Sequence, residues 1–473
     1  MDYVIGIDIG TSGTKVLAVG GDVGLGASVT KTYPCYTPHP NWSEQDPEDW
    51  WKAVQEGLDE VVAKVGKENV KGIGLSGQMH GMVAMDSDMQ VIRPAILWND
   101  QRNTEQCQEI IDLAGGLDSL IDYTNNTMLP GFTGGKILWL KENEPDNYNK
   151  VKVVLNPKDY IAYKLTGAIS TDVSDASGTG LLDVQNRAWS TELIEKIGLD
   201  ISFFPEIKES GEVVGEWEGI PVTAGGGDAV LSTIAMGLSS DKQVAVMLGT
   251  SGVVSKHADG FFRNDGAKLQ FSRACEAGKY HLMGVTLAAA GSYKWLSENL
   301  LLDDFRKLDE IASESPAGAN GILYLPYLFG ERCPINDADA SACFVGIKAT
   351  AGRGDFARAV LEGVAFSLRQ VFDLFQSPEV DTIVLAGGGA KSPLWRQIFA
   401  DVFGRKVITL DGGAEGSGFG AALVAGAGVG LFESVSAAAA NLTVKTETTP
   451  DPEAVRIYED RYQEYLKLYP KLK

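Results

Sequence analysis

Basic residues are in short supply. The 473-residue chain carries 41 Lys and Arg against 63 Asp and Glu, a net charge of −22. Nucleic acids and anionic membranes both call for a basic surface, so neither is expected as a partner. A phosphate group would have to be held locally, by backbone N–H groups, a helix N-terminus or a bound cation. Histidine is rare too: there are four, and none stands at a metal-ligand spacing, which argues against a zinc site. The five cysteines form no C-x-x-C pair. An odd, dispersed set fits reduced thiols and a cytoplasmic location. Long hydrophobic runs are missing. The stretch FGAALVAGAGVGLF (Phe419–Phe432) is too short to span a bilayer and rich in Gly and Ala, which predicts a tightly packed core helix. The opening MDYVIGIDIG has no basic leading region and its apolar run is broken by Asp8, so no signal peptide is expected.

What the chain does have is glycine, 55 of them, and a repeat. The tetrapeptide GTSG occurs at Gly10–Gly13 inside IGIDIGTSGTKVLAV and again at Gly249–Gly252 inside VAVMLGTSGVVSK, 239 positions later. Each copy lies between two β-branched apolar runs and reads as a strand–turn–strand hairpin. The sequence around the copies does not repeat, so the chain is no solenoid. The length suits two domains. A polar, loop-like MGLSSDKQ predicts residues 1–240 and 241–473, each built on one copy of the unit.

A Gly-Thr-Ser-Gly turn presents bare amides and two hydroxyls, and can cradle a phosphate. That makes Thr11, Ser12 and Gly13, with the following Lys15, and Gly249, Thr250 and Ser251, candidate ATP contacts. A plain hairpin turn is the competing reading for either copy alone. Only the first copy is preceded by an acid, Asp8. A carboxylate inside an apolar strand is costly to bury without a partner. Mg²⁺ would be such a partner; hydrogen bonds to nearby backbone would be another.

The segment AGGGDAVLSTIAMG puts Asp228 directly after three glycines at the start of a helix. As an N-cap it needs no further role. As a general base it would be kept ionised and aimed by the helix N-terminus, and the glycines would let a sugar approach. LSGQMHG places Gln78, Met79 and His80 on a turn after a strand. ILWNDQR gathers Trp98, Asn99 and Asp100, an aromatic and amide mixture suited to a sugar. An ordinary structural turn is the alternative for both. Late in the chain, IVLAGGGAKSPLWRQIF…KVITLD sets a glycine turn, Gly387, Gly388 and Gly389, before a helix, with Asp411 beyond the following strand. This approaches a dinucleotide fingerprint, with Ser392 at the third glycine position, and leaves an NAD-dependent dehydrogenase as a rival. The paired hairpins favour ATP. The closing DPEAVRIYEDRYQEYLKLYP reads as a polar helix.

Taken in order, IGIDIGTSGTK, GFTGGKILWLKEN, FVGIKATAGRGDFARAVLEGVAFSL and LAGGGAKSPLWRQIFAD resemble the motifs of the FGGY family of carbohydrate kinases, and the resemblance runs over essentially the whole chain. It implies an α/β fold of two ribonuclease H-like domains, of the actin, Hsp70 and hexokinase type, with a catalytic cleft between them. It also implies ATP and Mg²⁺, with Asp228 as catalytic base, Asp8 near Mg-ATP, Met79 and His80 on the sugar, and the adenosine against Gly387–Gly389 and Ser392. A homodimer is a further implication. NWSEQDPEDWW, SGQMHG, RPAILWNDQR, LNPKDYIAYKLTG and SDASGTGLLDV most resemble the xylulose-kinase branch, which implies D-xylulose as acceptor. Ala229 stands where that branch usually has Asn after the catalytic Asp. Ribulose or a pentitol is therefore the alternative acceptor.

Overall fold

The computed structural model describes residues 1–411 and 415–473; Gly412 and Gly413, one of the glycine pairs in the sequence, lie outside the described residues. The chain forms two compact units. Met1–Ser239, His257–His281 and Glu415–Leu442 make the first, and Ser240–Lys256, Leu282–Ala414 and Thr443–Lys473 the second, so the backbone passes between them more than once.

In chain order the first unit contributes β1 (Tyr3–Ile9), β2 (Gly13–Gly20), β3 (Leu25–Thr32), α1 (Pro47–Val65), β4 (Val70–Gly77), α2 (Thr133–Asn143), α3 (Pro157–Thr166), β5 (Val213–Trp217), β6 (Ile220–Thr223) and α4 (Asp228–Ala235). The central elements of the second are β7 (Gln243–Leu248), β8 (Gly252–Ala258), β9 (Tyr280–Thr286), α5 (Arg353–Asp373), β10 (Thr382–Gly387), α6 (Pro393–Phe403) and β11 (Lys406–Leu410). Then α7 (Ser417–Gly428) belongs to the first unit, and β12 (Val444–Thr448) and α8 (Pro452–Tyr465) to the second.

Both units use one topology. The first sheet runs β5-β6-β4-β1-β2-β3. Strands β1, β2 and β3 are antiparallel, while β4 lies parallel to β1. In the second, β9-β8-β7-β10-β11-β12 follow one another; β7 and β8 are antiparallel and β7, β10 and β11 parallel. Tight turns suffice for the antiparallel pairs. Parallel neighbours need a crossover, supplied by α1 before β4 and by α6 between β10 and β11.

Helix α1 has a complete set of end signals. Asp46 caps it by accepting from the Glu48 N–H, Pro47 fills the first turn, and Gly66 ends it at φ 83°. Trp50, Val54, Leu58 and Val61 form its buried stripe and pack on Ile5, Ile7, Ile9 and Val16. Side chains alternate along β1, so Val4, Gly6 and Asp8 face the other way, where α4 and α7 lie. Helix α7 is the predicted small-residue core helix. A Cβ on Gly6 would come within 1.8 Å of the Gly418 carbonyl oxygen, and one on Gly74 within 2.1 Å of that of Ala421. Only glycine allows so close an approach.

One sequence expectation changes. Helix α8 is amphipathic rather than polar: Tyr458, Tyr462 and Tyr465 are buried, with ring centroids 6.0, 5.9 and 5.5 Å from Phe366. Tyrosine hides this stripe from a polarity reading because its ring is apolar and its hydroxyl is not. Here the Tyr458 hydroxyl donates to Glu362 at 2.7 Å, and the Tyr462 hydroxyl to Asp373 at 2.6 Å.

Candidate active site

The first GTSG turn closes β1 onto β2, with the Gly10 N–H donating to the Gly13 carbonyl at 3.1 Å. Ser12 is exposed at the tip. Thr11 is not free. Its hydroxyl donates to Gln78 Oε1 at 3.1 Å and accepts from Trp98 Nε1 at 3.0 Å. Tyr33 secures the turn from behind, donating to the Gly10 carbonyl at 2.6 Å. Lys15 lies opposite Asp8 in the strand register, and its Nζ reaches Glu415 Oε2 at 2.6 Å.

Asp8 keeps some open surface yet is densely surrounded. Burial raises its pKa, against hydrogen bonds from Ser417 and Ser76, the latter at 3.1 Å, and the charge of Lys15. Asp228 is in the same state: its pKa is pushed up to about 7, first by burial and then by the Asp8 carboxylate. The Ala229 N–H, at 2.7 Å from Asp228 Oδ1, and the Met79 N–H pull the other way. Two carboxylates with raised pKa values, one of them raised in part by the other, are the pattern expected where charge changes or is neutralised.

Asp228 is the first residue of α4, and the cap position is Gly227. The glycines before it also differ from expectation. The protein itself occupies the space they leave: the Leu75 carbonyl oxygen lies 2.1 Å from a Cβ on Gly225, Cys275 Sγ 2.3 Å from one on Gly226, and Met79 Sδ 2.6 Å from one on Gly227. They hold the turn against β4 and seat Met79 beside Asp228. Ser174 fixes this turn as well, accepting the Gly227 N–H at 3.0 Å.

The SGQMHG turn follows β4. Gln78 is buried, and its amide is spent on Thr11 and on Gln45, at 2.9 Å. His80 adopts φ 70°, stacks on Phe132 with centroids 4.7 Å apart, and holds the Gly178 carbonyl oxygen 2.5 Å from Nδ1. Burial lowers its pKa to about 4, so the ring is neutral at pH 7 and the contact is an Nδ1–H donation. The His80 carbonyl accepts from Lys136 Nζ at 2.7 Å and from the Thr133 hydroxyl at 3.1 Å, both on α2. Lys136 is fully buried and its pKa is lowered to about 7, chiefly by that burial.

In ILWNDQR, Trp98 and Asn99 are exposed and open to a ligand. Asp100 is not: it is fully buried, accepts from the Ser43 N–H at 2.6 Å and forms a two-point pair with Arg102 at 2.9 and 2.7 Å. Asp100 thus builds the turn that carries Trp98. Sequence reading singled out neither Gln45, Tyr33, Ser174 nor Lys136. Their partners lie tens of residues away, and only the quoted segments NWSEQDPEDWW, SDASGTGLLDV and GFTGGKILWLKEN pointed near three of them.

The second unit has its own glycine turns. The second GTSG turn joins β7 to β8. Its Thr250 carbonyl accepts from the Ala289 and Gly291 N–H groups at 2.8 and 3.1 Å, and its Gly249 carbonyl from the Ala290 N–H at 2.9 Å. Gly387 ends β10 at φ 90°, Gly388 has open space above it, and the space beside Gly389 is filled by Trp395 and Leu248. Ser392 caps α6, accepting the Trp395 N–H at 3.1 Å. Asp411 is paired with Lys445.

Among the described residues no three His, Cys, Asp or Glu side chains converge as a metal cage. Asp8 by itself still suits Mg²⁺, which keeps most of its shell as water and substrate phosphate and takes one or two carboxylates. Among the same residues no helix is long and apolar enough to cross a membrane.

Residues 3–247 match the N-terminal domain of the FGGY family of carbohydrate kinases, and residues 244–429 its C-terminal domain. The chain is 38% identical to the xylulose kinase of Bacillus subtilis (strain 168), over 99% of this chain and 97% of that one. It is 35% identical to the xylulose kinase of Escherichia coli (strain K12), over 99% of both. A solved xylulose kinase from Brucella ovis superposes with a TM-score of 0.92 at 32% identity, covering 99% of each chain. The two matching sheets are therefore the paired ribonuclease H-like cores of a sugar kinase, whose substrates are ATP and a sugar, and the dehydrogenase reading of Gly387–Gly389 gives way. This protein belongs to the FGGY family of carbohydrate kinases.

Proposed function

We propose that the chain transfers the γ-phosphoryl group of ATP to a terminal hydroxyl of D-xylulose, giving ADP and D-xylulose 5-phosphate. The observation that carries this reading is the Asp8–Asp228 pair, with Asp228 beside Met79 and its pKa near 7. Whole-length similarity to proteins named xylulose kinase supports the choice of sugar. Met79, His80, Trp98 and Asn99 are the sugar contacts in this reading, and Gln78 and Asp100 act by holding them.

Asp228 accepts the proton of the attacking hydroxyl. Two backbone N–H groups, of Ala229 and Met79, fix the direction of its carboxylate. The hydroxyl oxygen bonds to the γ-phosphorus as the bond to the ADP oxygen breaks. The transition state of such transfers is loose in most analyses, so aim counts for more than basicity. Asp8 would hold Mg²⁺, which neutralises phosphate charge when bound. Ser12, Gly13 and Lys15 in the first unit, and Gly249, Thr250, Ser251, Gly387, Gly388, Gly389 and Ser392 in the second, are the ATP contacts. The working molecule in this reading is a cytoplasmic homodimer, which light scattering tests.

The acceptor is tested by ADP release with Mg-ATP over D-xylulose, D-ribulose, L-ribulose, xylitol, glycerol and no sugar. Preference for D-xylulose is expected. Preference for another member of the panel replaces the sugar and directs attention to Ala229, whose N–H donates to the Asp228 carboxylate.

A further inference from the structure

We infer that Gln45 is a positioning residue that couples occupancy of the sugar contacts to the order of the first GTSG turn. This rests on the proposed assignment of Trp98 to sugar and of the turn to ATP phosphates.

Gln45 is fully buried just before α1, and its amide is saturated. Nε2 donates to the Thr11 carbonyl at 2.7 Å and to the Pro34 carbonyl at 3.2 Å. Oε1 accepts from Trp50 Nε1 at 3.0 Å and from Gln78 Nε2 at 2.9 Å. A primary amide has two N–H donors and two acceptor lone pairs, and all four are used. Gln78 continues the path, its Oε1 accepting from the Thr11 hydroxyl at 3.1 Å. The path closes on itself: Thr11 to Gln78, Gln78 to Gln45, Gln45 back to Thr11. Both polar ends of Thr11, hydroxyl and carbonyl, are held by the ring.

One further donor enters it. Trp98 Nε1 donates to the Thr11 hydroxyl at 3.0 Å, while the indole is 46% exposed. Trp98 is thus the member of this network that a ligand can cover most readily. A sugar stacked on the indole restricts it, and the restriction passes through one hydroxyl to a ring whose bonds reinforce one another. Ordering already supplied by sugar need not be supplied again when ATP phosphates reach the turn, which gives positive coupling without a change of shape. In the other direction, nucleotide should tighten sugar by the same factor.

The experiment measures the dissociation constant of adenylyl imidodiphosphate with Mg²⁺, with and without saturating D-xylulose, by calorimetry. Wild type should bind the nucleotide about fivefold or more tightly when sugar is present. Gln45→Glu keeps the acceptor oxygen for Trp50 and Gln78 but has no N–H for the Thr11 carbonyl, and its ratio should fall below about twofold. Trp98→Phe, at an exposed position that does not threaten folding, removes the entry donor and should lower the ratio likewise. It keeps the test decisive if Gln45→Glu does not fold. A merely structural Gln45 would weaken both ligands and leave the ratio unchanged. Wild-type ratios near one with both ligands bound, or variant ratios equal to wild type, overturn the coupling alone. Wild type that binds nucleotide but no sugar of the panel overturns the reading beneath it.

Discussion

The two GTSG turns share four residues and a strand pairing, yet they are built differently. The first is held by side chains: Gln78, Gln45, Trp98 and Tyr33 reach Gly10 and Thr11 from three other segments. The second is held mainly by backbone, through the amides of Ala289, Ala290 and Gly291, with one side chain, Thr286, donating to the Gly252 carbonyl at 3.4 Å. In the strands that lead in, Asp8 corresponds to Met247 and Gly6 to Ala245. A side-chain network can report on what other side chains bind, whereas a backbone cradle only holds a shape. The duplicated turn has thus separated into a copy wired into side chains from distant segments and a copy seated mainly on neighbouring backbone amides.

The largest expected effect lies in the first unit, at the carboxylate whose pKa Asp8 helps to raise. Asp228→Asn should lower kcat by roughly 100- to 10,000-fold, the usual worth of a general base; turnover within tenfold of wild type, in the same ADP-release assay, would remove Asp228 from catalysis. The pH profile follows. With the Asp228 pKa near 7, kcat should fall about tenfold for each pH unit below that value as the carboxylate takes up a proton. A profile flat down to pH 5 would assign the ionisation elsewhere.

Packing gives the next test. Gly6→Ala forces a methyl group against the Gly418 carbonyl and should cost about 3 kcal/mol in denaturant unfolding, the upper part of the range for overpacking. The reverse exchange at the corresponding position, Ala245→Gly, should cost only about 1 kcal/mol, from lost packing and gained chain freedom. Equal costs would erase the difference between the two strands.

Linkage supplies an effect that depends on pH. An unfolded Asp ionises near pH 3.9 and folded Asp228 near 7, so the folded state loses stability as pH rises through that window. Asp228→Asn should therefore melt higher than wild type at pH 8, by a margin that vanishes near pH 4. A margin independent of pH would mean that the carboxylate is not the source. The smallest change is Ser392→Ala, which removes the cap of α6 and should cost about 1 kcal/mol. If Ser392 also touches nucleotide, KM for ATP rises in the same variant while kcat stays.

Much of this was legible in the sequence because it is local. The two strand–turn–strand hairpins around GTSG and the Gly-Ala helix α7 all depend on neighbours within a few residues. Asp8 and Asp228 were legible too, because an acid amid apolar or glycine residues is conspicuous. The partners of those acids were not. Nothing near Asp228 in sequence announces that Asp8 raises its pKa, that Met79 fills the space beside Gly227, or that Asp100 is consumed by Arg102 and Ser43. Gln45 was passed over for the same reason, since a lone glutamine before a helix carries no pattern.

The sequence by itself determined the elements, the duplication and the identity of the two acids, because hydrophobic period, turn chemistry and unusual residue types act over short stretches of chain. Only the tertiary structure decided which polar groups are spent on one another and which stay open. Hydrogen bonds and desolvation depend on distance in space, and the ring through Thr11, Gln78 and Gln45 joins residues that the chain keeps more than thirty positions apart.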